Sequence, residues 1–486
     1  MIQVSGNIEM NETSTIVLGM FQGEKKDSTQ YKVMNKLLHG NYVSLLQKHQ
    51  SWAKLGELNV IPVYDNNAVQ FIMILGLGNG NNIDTSLYEE LGLQVGKELL
   101  RRGITNTSVW WDSIYIGEEK TKNEYDSLSS FIKGYNGGYN TRYHSMKEVL
   151  TKSLTHTTYL YVNPKKVEFT KNVVHATQEL LLTLEFVERL ITSPPNIVTI
   201  QMFIEEIKQF SVRNKLEIDI FSKKDVNALG MGGILAFSKG DPDSAYFVKI
   251  QYKGDPSQDD YTTIIGAAVR NYHNQSPHRN KWKESNVVAA TTALGILEIV
   301  ARKELKINLS ILLPIVDVDC KKIQNGDVIR LFNGKTVGIG NESFLEELLI
   351  VDSITFGLME NTNTIMNFSA LTNELDYALG SSIRVAMTNH SMFKYNKEKS
   401  ICFFSTDNKT LETVKRSSYA DYCTNLGNRG RAIVKANFIG EFVKNVPWVH
   451  FDLGGFDRQH GERTIVKIVS VIGIAIDIVE EKAKLL

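Results

Sequence analysis

The chain has 486 residues, enough for two or three domains, and its composition of 42% hydrophobic and 22% charged residues is that of an ordinary globular protein. Lysine plus arginine and aspartate plus glutamate each number 54, so the formal net charge is zero. This balance excludes a global positive field that would steer the chain toward nucleic acid or an anionic membrane.

The cysteines and the two chain ends indicate a cellular compartment. Cys320, Cys402 and Cys423 form no CxxC pair, which favours free thiols in the cytoplasm or another reducing compartment. The first 21 residues lack a basic segment followed by a long apolar run, so we predict no signal peptide. The apolar run over 464–481 is interrupted by Lys467 and predicts a buried terminal helix instead of a membrane span.

The N-terminal part of the chain has the order strand, helix, strand. An apolar strand over 68–80 ends in a glycine turn, an amphipathic helix ends at Gly103, and a second strand is predicted over 106–114. A dinucleotide-binding fingerprint is disfavoured because Asn81 breaks the glycine spacing. We predict a smaller α/β domain over residues 1–168.

A long helix connects this region to a second domain. The helical spacing of apolar residues predicts a linking helix over 169–192, which stops before Pro194 and Pro195. Strands and helices alternate beyond it, and a hairpin turns at Asn333-Gly334. The fold class is therefore α/β, with a larger C-terminal domain over 193–486 built on a central mixed sheet flanked by helices.

The segment GKTVGIGNESFLEELLIVDS, residues 334–353, reads as a strand, a turn and a helix. Such a turn is a frequent location for active-site residues. Its turn nevertheless offers one carboxylate, Glu342, followed by Phe344 and Leu345.

Six segments spread over most of the chain carry a resemblance. In chain order they are ILGLGNG, RLITSPPNIVT, LGMGGILAFSKGDPDSAYFVKIQY, NGDVIRLFNGKTVGI, YADYCTNLGNRGRAIVKANFIGEFV and WVHFDLGG. Together they resemble the leucine (cytosol) aminopeptidases, a family of two-metal exopeptidases. The resemblance implies that family's two-domain fold and its hexameric assembly.

The residues at the family's metal and catalytic positions are replaced here. The resemblance implies two divalent metals, zinc or manganese, held by a lysine, three aspartates and a glutamate. Those ligands fall in order on Ala267, Tyr272, Asn286, Ser343 and Leu345. The family's catalytic lysine falls on Arg279, and the arginine of its NTDAEGR motif falls on Glu347. The resemblance thus makes these two and the five ligand positions degenerate family positions.

The register of this loop stays open by one residue because of an insertion near Gly340. A shift would place Glu342 at the aspartate position, but Phe344 would then occupy the glutamate position. Two adjacent cations need several carboxylates to offset their repulsion, and these replacements supply little of that. We therefore expect no metal cofactor and no catalytic residue.

Other polar residues are candidates for a rebuilt site. His273 and His278, with Glu284 nearby, and Asp452 after His450 are candidate ligands, but no HExxH motif occurs. Polar surface residues, and histidines that only support neighbouring groups, are the simpler interpretation. A Ser-His-Asp triad stays open, although no GxSxG elbow is present.

The sequence favours a catalytically inactive homologue that serves as a structural, scaffolding or binding component. We expect a homo-hexamer or a hetero-oligomer with paralogues, with a place in a larger protein assembly and no membrane partner. An active metallo-aminopeptidase with a rebuilt site, releasing N-terminal residues from peptides, is the first alternative. A nucleic-acid-binding regulator is the second, and the neutral charge disfavours it.

Overall fold

The computed structural model divides the chain into two compact units, Met1–Leu182 and Thr183–Leu486. The boundary falls inside one helix, Val167–Thr192. The structure describes residues 2–6, 15–22, 32, 35, 53–65, 68–80, 83–115, 117, 121–139, 156–192, 199–271, 285–319, 323–340, 344–372, 374–380, 383–394, 401–405, 411–424, 430–454 and 461–485.

The first unit is a six-stranded sheet with helices. The sheet order is β1-β6-β5-β2-β4-β3, parallel throughout except for the β3–β4 pair. The strands are β1 Ile2–Ser5, β2 Thr15–Met20, β3 Leu58–Asp65, β4 Ala68–Gly76, β5 Asn106–Trp110 and β6 Thr157–Tyr161; the helices are α1 Thr85–Arg102, α2 Trp111–Ile114, α3 Lys122–Tyr139 and α4 Val167–Thr192.

The predicted strand over 106–114 is wrong beyond Trp110. The chain turns there into the short helix α2, because Trp111 is completely buried and its ring packs against Tyr115 and Phe131 at centroid distances of 5.9 and 5.7 Å. A continuing strand would alternate its side chains between two faces, whereas α2 directs this aromatic ring into the core under α3. The predicted end of α1 at Gly103 is confirmed, with Gly103 in the left-handed region.

The second unit contains a larger mixed sheet, a small sheet and the remaining helices. The helices are α5 Ile200–Arg213, α6 Lys223–Leu229, α7 Gly232–Ala236, α8 Ser285–Arg302, α9 Leu345–Met359, α10 Glu374–Leu379, α11 Arg431–Glu441 and α12 Gly461–Leu485. The strands are β7 Glu217–Ser222, β8 Ala245–Lys253, β9 Tyr261–Gly266, β10 Ala268–Asn271, β11 Asn308–Val318, β12 Val328–Arg330, β13 Thr336–Gly338, β14 Thr362–Ser369, β15 Arg384–Thr388, β16 Ile401–Ser405, β17 Tyr422–Cys423 and β18 Trp448–Asp452.

The large sheet runs in the order β16-β15-β18-β14-β9-β11-β8-β7, with β10 paired to β11. Its central strands β18, β14, β9 and β11 are parallel to one another, and β8, β7 and β15 introduce antiparallel pairs. Central parallel strands need apolar cover on both faces. Every residue of β18 is accordingly buried, as is all of β11 except Asp317, which is half-buried.

Two sequence predictions in this unit are confirmed. The hairpin is formed by β12 and β13, and Gly334 in its turn has φ of 84°, a value that glycine adopts without strain. The apolar C-terminal run is the helix α12, with Val471, Ile472 and Val479 buried. Within the described residues, no helix has the length and apolar character that a membrane crossing requires.

Candidate functional site

The carboxyl ends of three parallel strands lie side by side in the large sheet. Gly266 at the end of β9 pairs with Phe368 of β14, and Ser369 of β14 pairs with Asp452 of β18. Ligand sites of α/β sheets form at the carboxyl ends of parallel strands. We therefore take this edge, with the segments that follow the strands, as the candidate site.

Two of the predicted ligand positions are described here, and both carry hydrocarbon. Ala267 follows β9 and is 1% exposed, while Leu345 is half-buried as the first residue of α9. Phe344, which precedes α9, is also 1% exposed. All three contribute to the same apolar core of the second unit.

The structure describes the other predicted positions to different extents. Asn286 lies in the first turn of α8, and only its backbone is described. Glu347 is described and lies in the first turn of α9. Outside the described residues lie Tyr272, Arg279 and Ser343, together with Glu342, His273, His278, Glu284 and Cys320.

Glu347 and Lys435 form a buried ion pair at this edge. The Glu347 side chain on α9 is 2% exposed, and Lys435 on α11 is 8% exposed. Lys435 Nζ lies 2.9 Å from Glu347 Oε1, donates to the carbonyl oxygen of Leu371 at 3.3 Å, and lies 5.3 Å from the centroid of the Phe344 ring. The pair therefore joins α9, α11 and the segment that follows β14.

Asp452, at the carboxyl end of β18, is a second buried carboxylate. Its Oδ1 accepts hydrogen bonds from the backbone N–H groups of Leu371 at 3.2 Å and Gly454 at 2.9 Å. Its Oδ2 is buried without a hydrogen-bond partner among the described residues. Burial raises the pKa of Asp452 to about 7; the charge of Lys435 lowers this pKa and that of Glu347 raises it.

The hydrogen bonds around His450 fix which ring nitrogen carries the proton. Trp448 Nε1 can only donate, and it donates to Asn367 Oδ1 at 2.7 Å. The Asn367 amide nitrogen therefore faces His450 Nδ1 at 2.8 Å and donates to it. His450 Nε2 must then carry the hydrogen, and burial lowers the pKa of the ring to about 3.

This protonation pattern argues against a Ser-His-Asp triad at His450. A histidine that serves as the general base of such a triad accepts the nucleophile's proton on one nitrogen and donates the N–H of the other nitrogen to a carboxylate. Here Nδ1 accepts from an amide. Neither Nε2 nor the hydroxyl of Ser369 on the neighbouring strand β14 has a hydrogen-bond partner in the described part of the chain. His450 is completely buried, so of the two simpler interpretations the surface one is wrong for this residue.

Asp352 of α9 holds in place the GMGG segment, one of the motifs that carry the family resemblance. Its Oδ2 accepts from the N–H groups of Gly233 at 2.7 Å and Ile234 at 3.2 Å, and its Oδ1 accepts from Phe332 at 2.8 Å. Burial nevertheless raises the pKa of Asp352 to about 7. The carboxylate thereby holds the GMGG segment against the hairpin.

A second surviving motif is held by Asp421, which precedes β17. Its carboxylate accepts from Thr336 N and Oγ1 at 2.9 Å each, and from Lys335 Nζ at 3.0 Å. These hydrogen bonds lower the pKa of Asp421 to about 2. The exposed Asp421 side chain therefore connects the GKTV and YAD segments by hydrogen bonds, and these bonds need no metal.

The described side chains at this edge do not fit a pair of divalent metals. Such a pair needs several anionic oxygens or basic nitrogens. Ala267 and Leu345 provide neither, and Glu347 is already paired with an ammonium group. Over the described residues, no group of three or more histidine, cysteine, aspartate or glutamate side chains is arranged to hold a metal ion.

The sequence carries a signal that Lys435 is buried, although no prediction above names this residue. Ala432, Ala436 and Ile439 form a buried stripe at helical spacing, and Lys435 lies inside that stripe. A lysine within an apolar stripe of a helix is expected to have a buried anionic partner. The partner itself could not be read from the sequence, since Glu347 is 88 positions away on another helix.

Comparison with known proteins identifies the two units. A family model described as the cytosol aminopeptidase family, catalytic domain, matches residues 185–475, and the model of that family's N-terminal domain matches residues 17–141. The fold and the domain order thus define a two-domain protein of the aminopeptidase class. The chain belongs to the cytosol aminopeptidase family, as its six sequence segments predicted.

Solved structures have the same fold. A mutant of tomato leucine aminopeptidase superimposes with a TM-score of 0.80 at 16% identity, covering 98% of this chain and 96% of that one. The bottromycin maturation enzyme BotP gives 0.78 at 16% identity, covering 97% of this chain and all of its own. The same enzyme in complex with manganese gives 0.77, also at 16% identity and with the same coverage.

Proposed function

We propose that this chain is a catalytically inactive member of its family, which acts as a structural, scaffolding or binding component of an oligomeric assembly. The proposal includes two further statements. The seven replaced family positions form a degenerate catalytic centre, and the chain holds no resident metal. It also retains the predicted domain bounds: a smaller N-terminal domain over 1–168, a linking helix over 169–192 and a larger domain over 193–486.

The observation that carries the proposal is the hydrocarbon at the carboxyl edge. Ala267 and Leu345 stand where the family resemblance implies a lysine and a glutamate ligand, and the adjacent Phe344 ring is buried. Side chains without a lone pair cannot bind a divalent cation or offset its charge. Without that cation, no agent lowers the pKa of an attacking water.

The retained scaffold supports a role that depends on shape. Asp352 and Asp421 still hold the GMGG, GKTV and YAD segments through hydrogen bonds to backbone and side chains. Binding and assembly depend on such positioned segments, whereas hydrolysis depends in addition on the ligands that are replaced. We therefore assign the chain to homo-hexamers or to hetero-oligomers with active paralogues.

A peptidase assay tests the proposal directly. The purified chain is incubated with a leucyl-amide substrate and added manganese or zinc, beside an active family enzyme, and its metal content is measured. We expect no turnover above the buffer rate and no stoichiometric metal. Turnover by the chain accompanied by one or two bound ions would show the alternative, an aminopeptidase with a rebuilt site.

A further inference from the structure

Among the residues that the structure describes, the carboxyl edge holds the buried carboxylates of Glu347 and Asp452 and the buried ammonium group of Lys435. We define the Lys435 cluster as Phe344, Glu347, Leu371, Lys435 and Asp452. Lys435 Nζ contacts Glu347 Oε1 at 2.9 Å and the Leu371 carbonyl oxygen at 3.3 Å. Asp452 accepts from the N–H of the same Leu371 at 3.2 Å, and its pKa responds to the charges of both Lys435 and Glu347.

Burial makes the ammonium group necessary to this cluster. Glu347 is 2% exposed and Asp452 is 9% exposed, so neither charge is well solvated. A buried carboxylate must be paired, be protonated or bind a metal. Lys435 supplies the positive charge, and the negative face of the Phe344 ring, with its centroid 5.3 Å from Nζ, adds to the attraction.

The oxygen atoms of this cluster are those that a hard divalent cation prefers. The Glu347 carboxylate and the Leu371 carbonyl contact Nζ directly. The Asp452 carboxylate is joined to them through the N–H of the same Leu371, and its Oδ2 is buried without a described hydrogen-bond partner. Carboxylate and carbonyl oxygens are the usual ligands of magnesium, calcium and manganese. They are a different set from the replaced positions at Ala267 and Leu345.

We infer that the Lys435 ammonium group is the resident cation of this edge, and that its removal uncovers a site for one hard divalent cation at Glu347, Asp452 and the Leu371 carbonyl. The inference rests on the proposed function, because it explains how the edge stays neutralised without a metal. Lys435 thus keeps divalent cations out of the wild-type chain by occupying their place.

Manganese alone is the probe, and two substitutions of one residue are compared. Lys435→Ala removes the charge and leaves space, whereas Lys435→Met removes the charge and keeps the bulk of the side chain. Titration calorimetry and manganese paramagnetic resonance should show one Mn²⁺ bound to Lys435→Ala, with Kd on the order of 10⁻⁴ M as in weak oxygen-ligand sites. We expect at least about tenfold weaker binding by Lys435→Met and by the wild type.

A second substitution connects the binding to the cluster. In the Lys435→Ala background, Glu347→Gln should abolish the Mn²⁺ signal, because a neutral amide is a poor ligand for a hard cation. Should Lys435→Ala be unfolded in buffer, millimolar Mn²⁺ must refold it, since a ligand that binds only the native state stabilises that state. Folding is followed by circular dichroism.

Three results would overturn the inference: equal Mn²⁺ binding by the wild type and Lys435→Ala, binding that survives Glu347→Gln, or an unfolded Lys435→Ala that Mn²⁺ fails to refold. Failure of the proposed function has a different signature, which is peptidase turnover by the wild-type chain. The binding test remains informative in that event, because it compares the Mn²⁺ affinity of Lys435→Ala with that of the wild type.

Discussion

At the scale of single residues, the described part of the second unit holds two buried aspartates, Asp452 at the sheet edge and Asp352 on α9. Asp452 and Asp352 each have a pKa near 7 because burial disfavours their charged forms more than their backbone hydrogen bonds favour them. An unfolded aspartate has a pKa of about 3.9. The folded state therefore binds these protons more tightly than the unfolded state does.

The sign of the resulting pH dependence follows from proton linkage. Between pH of about 4 and 7 the folded chain holds a proton on Asp452 that the unfolded chain has lost, so stability falls as the pH rises through this window. Asp452→Asn should make the decline in unfolding free energy shallower by about 1 kcal/mol per pH unit. The pKa of Asp352 is also raised to about 7, so the unfolding free energy of the variant should still decline with pH because of Asp352.

Urea unfolding measured at several pH values between 4.5 and 7.5 checks this prediction. The exposed Asp259→Asn is the matched control, since it removes a carboxylate from the surface and should leave the slope unchanged. An Asp452→Asn variant whose stability declines as steeply as that of the wild type would contradict the shift of the Asp452 pKa.

Close backbone contact is the decisive feature at the scale of elements. The short helix α7 approaches the hairpin so closely that a Cβ added at Gly232 would lie 1.9 Å from the Arg330 carbonyl oxygen. A Cβ at Gly233 would lie 2.5 Å from the Leu348 carbonyl oxygen of α9. The GMGG segment is thus constrained by packing between α9 and the hairpin.

Gly232→Ala should destabilise the second unit by about 1–3 kcal/mol, because the added methyl group forces α7 away from the hairpin and weakens the Asp352 hydrogen bonds. Gly240→Ala is the matched control, since its Cβ would meet no atom within 4 Å and its effect should stay within about 0.5 kcal/mol. Denaturant unfolding compares the two. Equal stability of the two variants would contradict the close contact.

The whole molecule combines a family fold with an edge that its own lysine neutralises. The family models match both parts of the chain, and solved relatives have the same fold over nearly its full length. In the role proposed above, the chain contributes a surface to a symmetric assembly. The test at this scale is the oligomeric state.

We predict a closed hexamer in solution. Light scattering coupled to size-exclusion chromatography should give about six times the 54.8 kDa mass of the chain. If the chain is built to assemble with paralogues, the isolated chain should give a smaller mass that reaches the hexamer when an active paralogue is added. A mass of one chain under both conditions would contradict the assembly role.

The family and fold class could be predicted from sequence because they depend on local patterns. Glycine turns, helical spacing and the GMGG, GKTV and WVHFD segments are read along the chain, and they gave the hairpin at Gly334 and the terminal helix. The strand predicted beyond Trp110 was wrong, because burial of Trp111 in the core overrides its local preference for a strand.

The sequence by itself determined that Ala267 and Leu345 carry no ligand atoms, since side-chain chemistry does not depend on the fold. Only the tertiary structure decided which buried side chains carry the charges of the edge. The Glu347–Lys435 ion pair and the Asn367–His450 hydrogen bond, which fixes the tautomer of His450, each join residues more than 80 positions apart. Such contacts form when strands and helices pack, so their energies cannot be read from neighbours along the chain.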